Sequence, residues 1–182
     1  MTSKKTYIAI LSSCFLLLLI FPSYAHWADM SVIELNINNQ KATAEITLPT
    51  PFLNTIDINK DKIISNKEIS ESENSIKALF KDTFYIQADN EIGELKVTPS
   101  QINSLNIPGM SKNTHTGLHI EWNWNKPVKN YILHYNLFPK EAINAHCLVN
   151  ASIDDEVKTI VLSPNNIETR LNELSTIESI KE

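Results

Sequence analysis

The chain has 182 residues with 16 basic and 21 acidic side chains, a formal net charge of −5 with histidine neutral. Residues 1–25 have the form of an export signal, and the 157 residues after them carry 14 basic and 21 acidic groups, a net −7. That balance argues against nucleic acid or anionic lipid as a partner and is compatible with binding cations, and the length suits one domain with its own core.

In the signal, Lys4 and Lys5 make a basic start, Ile8 to Phe21 an apolar run, and Ser23-Tyr24-Ala25 a small-residue cleavage site after Ala25. The run is shorter than the roughly 20 residues that span a membrane. "LSSC", ending at Cys14, has the look of a lipoprotein box, but only about six apolar residues lead into it, fewer than the roughly 7–15 required. The expectation is export through the general route to the periplasm or the exterior. No further apolar run of 18 residues follows, so no transmembrane span is expected in the mature chain. Cys147 is then the single mature cysteine. It alternates with Val149 on an apolar strand face, where a cysteine behaves as a small hydrophobe.

The first mature elements alternate. "SVIELNIN" puts Ile33, Leu35 and Ile37 on one face, and "KATAEITL" does the same with Ala42, Ala44, Ile46 and Leu48. Asn38-Asn39-Gln40 reads as the hairpin turn between them. "TLPTPFLNTI" holds two prolines and allows a helix of a turn or two from Pro51. A helical pattern follows the next polar stretch, with Ile69, Ile76, Leu79 and Phe80 on one side.

Period two returns at Phe84. "FYIQA" and "GELKV" flank a turn at Asp89-Asn90-Glu91. "LHIEWNWN" points Leu118, Ile120, Trp122 and Trp124 at the core and His119 and Glu121 away from it. "YILHYNLF", "HCLVNA" and "KTIVL" complete the strands. Residues 100–116 lack periodicity and read as a long loop. Ile167, Leu171, Leu174, Ile177 and Ile180 repeat at helical spacing. The fold class expected is mainly β: an antiparallel β-sandwich over 26–164, a helical insertion at about 50–82, and a C-terminal helical tail over 165–182.

Within the insertion stands "DINKDKIISNKE", residues 57–68. Calcium takes six to eight hard oxygens, and the twelve-residue EF-hand loop supplies them from positions 1, 3, 5, 7, 9 and 12. Here those positions hold Asp57, Asn59, Asp61, the Ile63 carbonyl, Ser65 acting through water, and Glu68 as bidentate closer. Ile64 is the apolar anchor at position 8. The stretch resembles an EF-hand-type calcium loop, which implies a calcium cofactor. It departs at position 6, where Lys62 stands in place of the glycine that makes the sharp turn. The entering helix is short, and Lys60, Lys62 and Lys67 offset the three carboxylates. Affinity in the extracellular range, about 10⁻⁴ to 10⁻³ M, is expected. A metal-free reading competes: Ser65 and Glu68 form a capping box by themselves. It leaves Asp57, Asn59 and Asp61 unaccounted for.

His26 would begin the mature chain, its free amine beside its imidazole. With His115, His119, His134 or His146 it makes the alternative, a copper- or nickel-handling accessory protein. His115 and His119 are four apart on a strand, about 13 Å at roughly 3.3 Å per residue, too far to share a zinc ion. No serine nucleophile elbow, phosphate loop or paired carboxylates emerge, so a binding module rather than an enzyme is expected.

Residues 25–164 are similar to the extracytoplasmic N-terminal part of HupE/UreJ-type membrane proteins, through "AHWADMSVIEL", "PTPFLNTIDINKDKIISNKE" and "LHYNLFP…NAHCLVN…TIVLSP". Members of that family usually continue into a multi-helix membrane domain linked to metal uptake. The resemblance implies a free-standing relative of the soluble part with a membrane protein as its kind of partner; transport activity is not carried over.

Overall fold

The structure is a computed structural model that describes residues 30–101, 114–140, 142–153 and 156–172. In β1 (Ser31–Asn38) Ile33, Leu35 and Ile37 are buried while Glu34, Asn36 and Asn38 face water. β2 (Lys41–Pro49) pairs with it antiparallel, Ile33 opposite Ile46 and Leu35 opposite Ala44, so both strands turn their apolar residues to one side. β6 (His115–Asn123) continues the sheet, with Leu118, Ile120 and Trp122 fully buried. β5 (Glu94–Pro99), β8 (Cys147–Ile153) and β9 (Glu156–Leu162) complete six strands in the order β5-β6-β2-β1-β8-β9.

A second sheet of four strands runs in the order β10-β7-β3-β4, from β3 (Phe84–Ala88), β4 (Glu91–Ile92), β7 (Tyr131–Tyr135) and β10 (Glu168–Arg170). Residues of both sheets share one buried cluster, giving a mainly β sandwich. Phe84 of the small sheet meets the Trp122 ring of the large one edge-on at 5.2 Å, and also Phe80 and Tyr135 at 5.4 and 5.5 Å. The Tyr135 hydroxyl crosses between the sheets to Ser31 Oγ at 2.5 Å. As expected, Trp122, Trp124 and Cys147 are buried.

Three expectations change. The sandwich is not wholly antiparallel: β1 and β8 pair in parallel, Ile33 beside Val149. Parallel neighbours need a long connection, and here most of the domain supplies it.

The strands around Asp89-Asn90 are not a simple hairpin. β4 pairs with β3 for two residues only, after which the chain switches sheets at Gly93 and β5 joins β6. A Cβ at Gly93 would lie 2.8 Å from the Trp122 Cβ, so only glycine lets the chain cross there.

The helix expected from 165 is a strand at 168–170. β10 pairs with β7, Thr169 opposite Leu133, and Leu171 is fully buried. The open edge of β7 offers backbone partners that an isolated helical turn cannot match. The rest of that tail, the central part of the long loop, and the signal with His26 lie outside the described residues. Among those described, no helix is long and apolar enough to cross a membrane.

The insertion between β2 and β3 is helical, as expected. It comprises a 3-10 helix (Thr50–Ile56), α1 (Asn66–Glu71) and α2 (Glu73–Thr83). Leu53, Ile56, Ile69, Ile76 and Phe80 anchor it in the core, and Leu79 packs half-buried beside them. On β5, an edge strand, the Val97 amide donates to Glu73 Oε1 at 3.3 Å, so the insertion also shields that edge.

Candidate metal centre

The loop 57–68 hangs between two buried anchors, Ile56 and Ile64, and delivers the chain to the N-terminus of α1. Its polar side chains do not point at random. Asn59 Oδ1 accepts from the Asp61 amide at 2.9 Å, and Asp61 Oδ1 from the Ile63 amide at 2.8 Å. Both are bonds from a side chain to the backbone two residues on, which fold the chain into successive tight turns. Asp57 Oδ2 reaches across to the Lys62 amide at 3.0 Å. The Asn59 side-chain amide donates to Asp61 Oδ2 at 3.0 Å.

Those turns force two residues into the left-handed region, Lys60 at φ 58° and Lys62 at φ 65°. Lys62 therefore takes the conformation for which an EF-hand loop keeps glycine at position 6. A side chain in that region costs about 1–2 kcal/mol.

Glu68 closes the loop from the other end. It is only 5% exposed. Its Oε1 accepts from the Ile58 amide at 2.9 Å and, less closely, the Asn59 amide at 3.4 Å. Oε2 accepts from the Ser65 amide at 2.9 Å and the Ser65 hydroxyl at 2.7 Å, while Ser65 Oγ accepts from the Glu68 amide at 3.3 Å. The capping box is thus formed, and Glu68 additionally ties the first residues of the loop to the last. The Ser65 amide and hydroxyl, helped by the Asn59 and Ile58 amides against the opposing effect of burial, hold the Glu68 carboxyl at about 2 from an ordinary 4.5.

One oxygen stands apart. Asp57 Oδ1 is buried and has no hydrogen-bond partner, although Oδ2 of the same carboxylate is bonded. Buried carboxylate oxygens are costly unless paired with a donor or a cation. It sits at position 1 of the ligand set. The six expected ligands therefore occupy one closed loop, with Asp57, Asn59, Asp61 and Glu68 all drawn onto its backbone amides. They are not drawn together as a cluster of acids: among the described residues no group of three or more His, Cys, Asp and Glu side chains could hold a metal ion. Bidentate closure by Glu68 would require its carboxylate to give up amide bonds that now use its lone pairs.

None of the four described histidines belongs to such a group, and His146 is exposed. His115 is buried between Thr114 Oγ1 and the Met30 carbonyl. His134 stacks on Tyr85 at 4.6 Å. His119 lies between Glu45 and Glu121, its Nδ1 2.6 Å and Nε2 3.3 Å from their oxygens, with Lys41 beyond at 3.0 Å from Glu121. This network escapes a reading of one strand at a time, because Glu45 meets His119 only through the β2–β6 register. No protein-family model matches the chain, and no curated protein matches it significantly.

Proposed function

We propose that the protein is an exported calcium-binding module, not an enzyme, whose single ion sits in the loop 57–68. Asp57, Asn59 and Asp61 supply side-chain oxygens, Ile63 its carbonyl, Ser65 a water-mediated contact and Glu68 the closing carboxylate. The observation that carries this reading is the buried, unpartnered Asp57 Oδ1 at the first ligand position. The left-handed Lys60 and Lys62 support it, because they give the backbone the sharp turn that such a loop needs. The ion's role would be to brace the helical insertion against β5 and the core. A site this charged with lysine suits the calcium concentrations outside cells rather than those within. Kinship with the soluble part of HupE/UreJ-type proteins, with a membrane protein as partner, belongs to the same proposal.

Thermal melting with and without calcium tests it. For a dissociation constant of about 10⁻⁴ to 10⁻³ M, 10 mM calcium stabilises by about 1.4–2.7 kcal/mol, a shift of several degrees for a domain this size. Asp57→Asn keeps an oxygen for the Lys62 amide while removing the charge, so it should melt near wild type without calcium and lose the shift. An equal shift in both proteins would place the ion elsewhere.

A further inference from the structure

The first and last ligand positions of the loop 57–68 stand in opposite states. Asp57 Oδ1, at position 1, is buried with no hydrogen-bond partner. Glu68, at position 12, is saturated. A carboxylate offers about four lone-pair sites on its two oxygens. Oε1 accepts from the Ile58 and Asn59 amides at 2.9 and 3.4 Å, and Oε2 accepts from the Ser65 amide and hydroxyl at 2.9 and 2.7 Å. All four donors belong to the loop itself, and the burial of Glu68 keeps water from competing for them.

The two oxygens grip different parts of the loop. Oε2 binds within the capping box at the start of α1, whereas Oε1 reaches back ten residues to the first turn. Ile58 and Asn59 follow Asp57 directly, so Oε1 draws the first ligand position toward the last with no metal involved. The cap on α1 does not need Oε1, because Ser65 Oγ accepts from the Glu68 amide wherever the carboxylate points. Rotation of one side chain can therefore free Oε1 while the helix stays capped. We infer that Glu68 is an internal latch on the ion site: it closes the loop on the Ile58 and Asn59 amides when no cation is bound, and calcium entry requires Oε1 to leave them. This rests on the calcium reading of the loop and adds its regulation. Affinity is set by competition between the ion and two backbone amides, and occupancy rearranges residues 58 and 59 with α1 and the core in place.

Hydrogen exchange of backbone amides, read by NMR on the chain from His26 onward, tests this in EDTA and in 10 mM calcium. The Ile58 and Asn59 amides should be protected in EDTA and exchange about tenfold faster with calcium, while the Glu68 amide stays protected. Ile58→Pro removes one latch donor at a residue whose side chain is 63% exposed and supplies no ligand. The variant should melt lower in EDTA and bind calcium about tenfold more tightly than wild type, the worth of one hydrogen bond to a charged group. Calcium bound with both amides still protected, or Ile58→Pro binding no more tightly than wild type, would overturn the latch and leave the ion site standing. Calcium bound by neither protein would overturn both. Where Ile58→Pro does not fold, exchange in the wild type decides.

Discussion

At the scale of single residues, Glu68 has a task that does not depend on any ion. It accepts from three backbone amides and one hydroxyl, so its loss should open the loop even in a chelator. Glu68→Ala is expected to lower the melting temperature in EDTA, whereas Asp57→Asn is not. The pH dependence has a definite sign. The folded carboxyl, at about 2, lies below the ordinary value of 4.5. Its stabilisation is therefore complete above about pH 4.5 and is lost as pH falls toward 2. A carboxyl resonance of Glu68 titrating near 4.5 in the metal-free protein would show that these bonds do not form in solution. Lys62 gives a second residue-scale prediction. Lys62→Gly removes left-handed strain and should stabilise by up to about 1 kcal/mol, partly offset by the entropy of glycine in the unfolded chain. Denaturant midpoints compared at equal slope would measure it.

At the scale of elements, the legible parts of the fold were those with local causes. β1, β2 and β6 alternate because each has one face in the core, and that pattern needs no partner to be seen. The loop was legible through the spacing of its oxygens. Its actual bonds explain part of that spacing without metal, since Asn59 and Asp61 each fold the backbone two residues on. Only Asp57 Oδ1 stays unexplained by internal bonding. β10 was misread because Ile167 and Leu171 fit a helical stripe, whereas Leu171 instead plugs the core at the end of a three-residue strand. The sheet switch was hidden because it depends on two tryptophans about thirty residues downstream of Gly93. That switch makes its own prediction. Gly93→Ala drives a methyl to 2.8 Å from the Trp122 Cβ, an atom held close to the backbone of a central strand. Overpacking of this kind should cost about 1–3 kcal/mol, read as a lower denaturant midpoint.

At the scale of the molecule, both sheets close on one core, and burial decides which reactive groups are inert. Burial pushes the Cys147 thiol far above its usual range, and Tyr135, its buried neighbour, is raised as well. Thiol reagents should therefore label Cys147 only as the domain opens, at a rate that tracks global unfolding. The parallel pairing of β1 with β8 ties the start of the described chain to its last third, a long-range contact that no local pattern announces. The insertion joins this framework through Ile69, Ile76 and Phe80, so an ion bound at 57–68 would be felt as stability of the whole domain.

The most direct measurement of the central claim is a calorimetric calcium titration of the chain from His26 onward beside its Asp57→Asn variant. The account predicts one site in the wild type, with a dissociation constant of about 10⁻⁴ to 10⁻³ M, and none in the variant. No heat from the wild type at several millimolar calcium, or the same isotherm from both proteins, would contradict it.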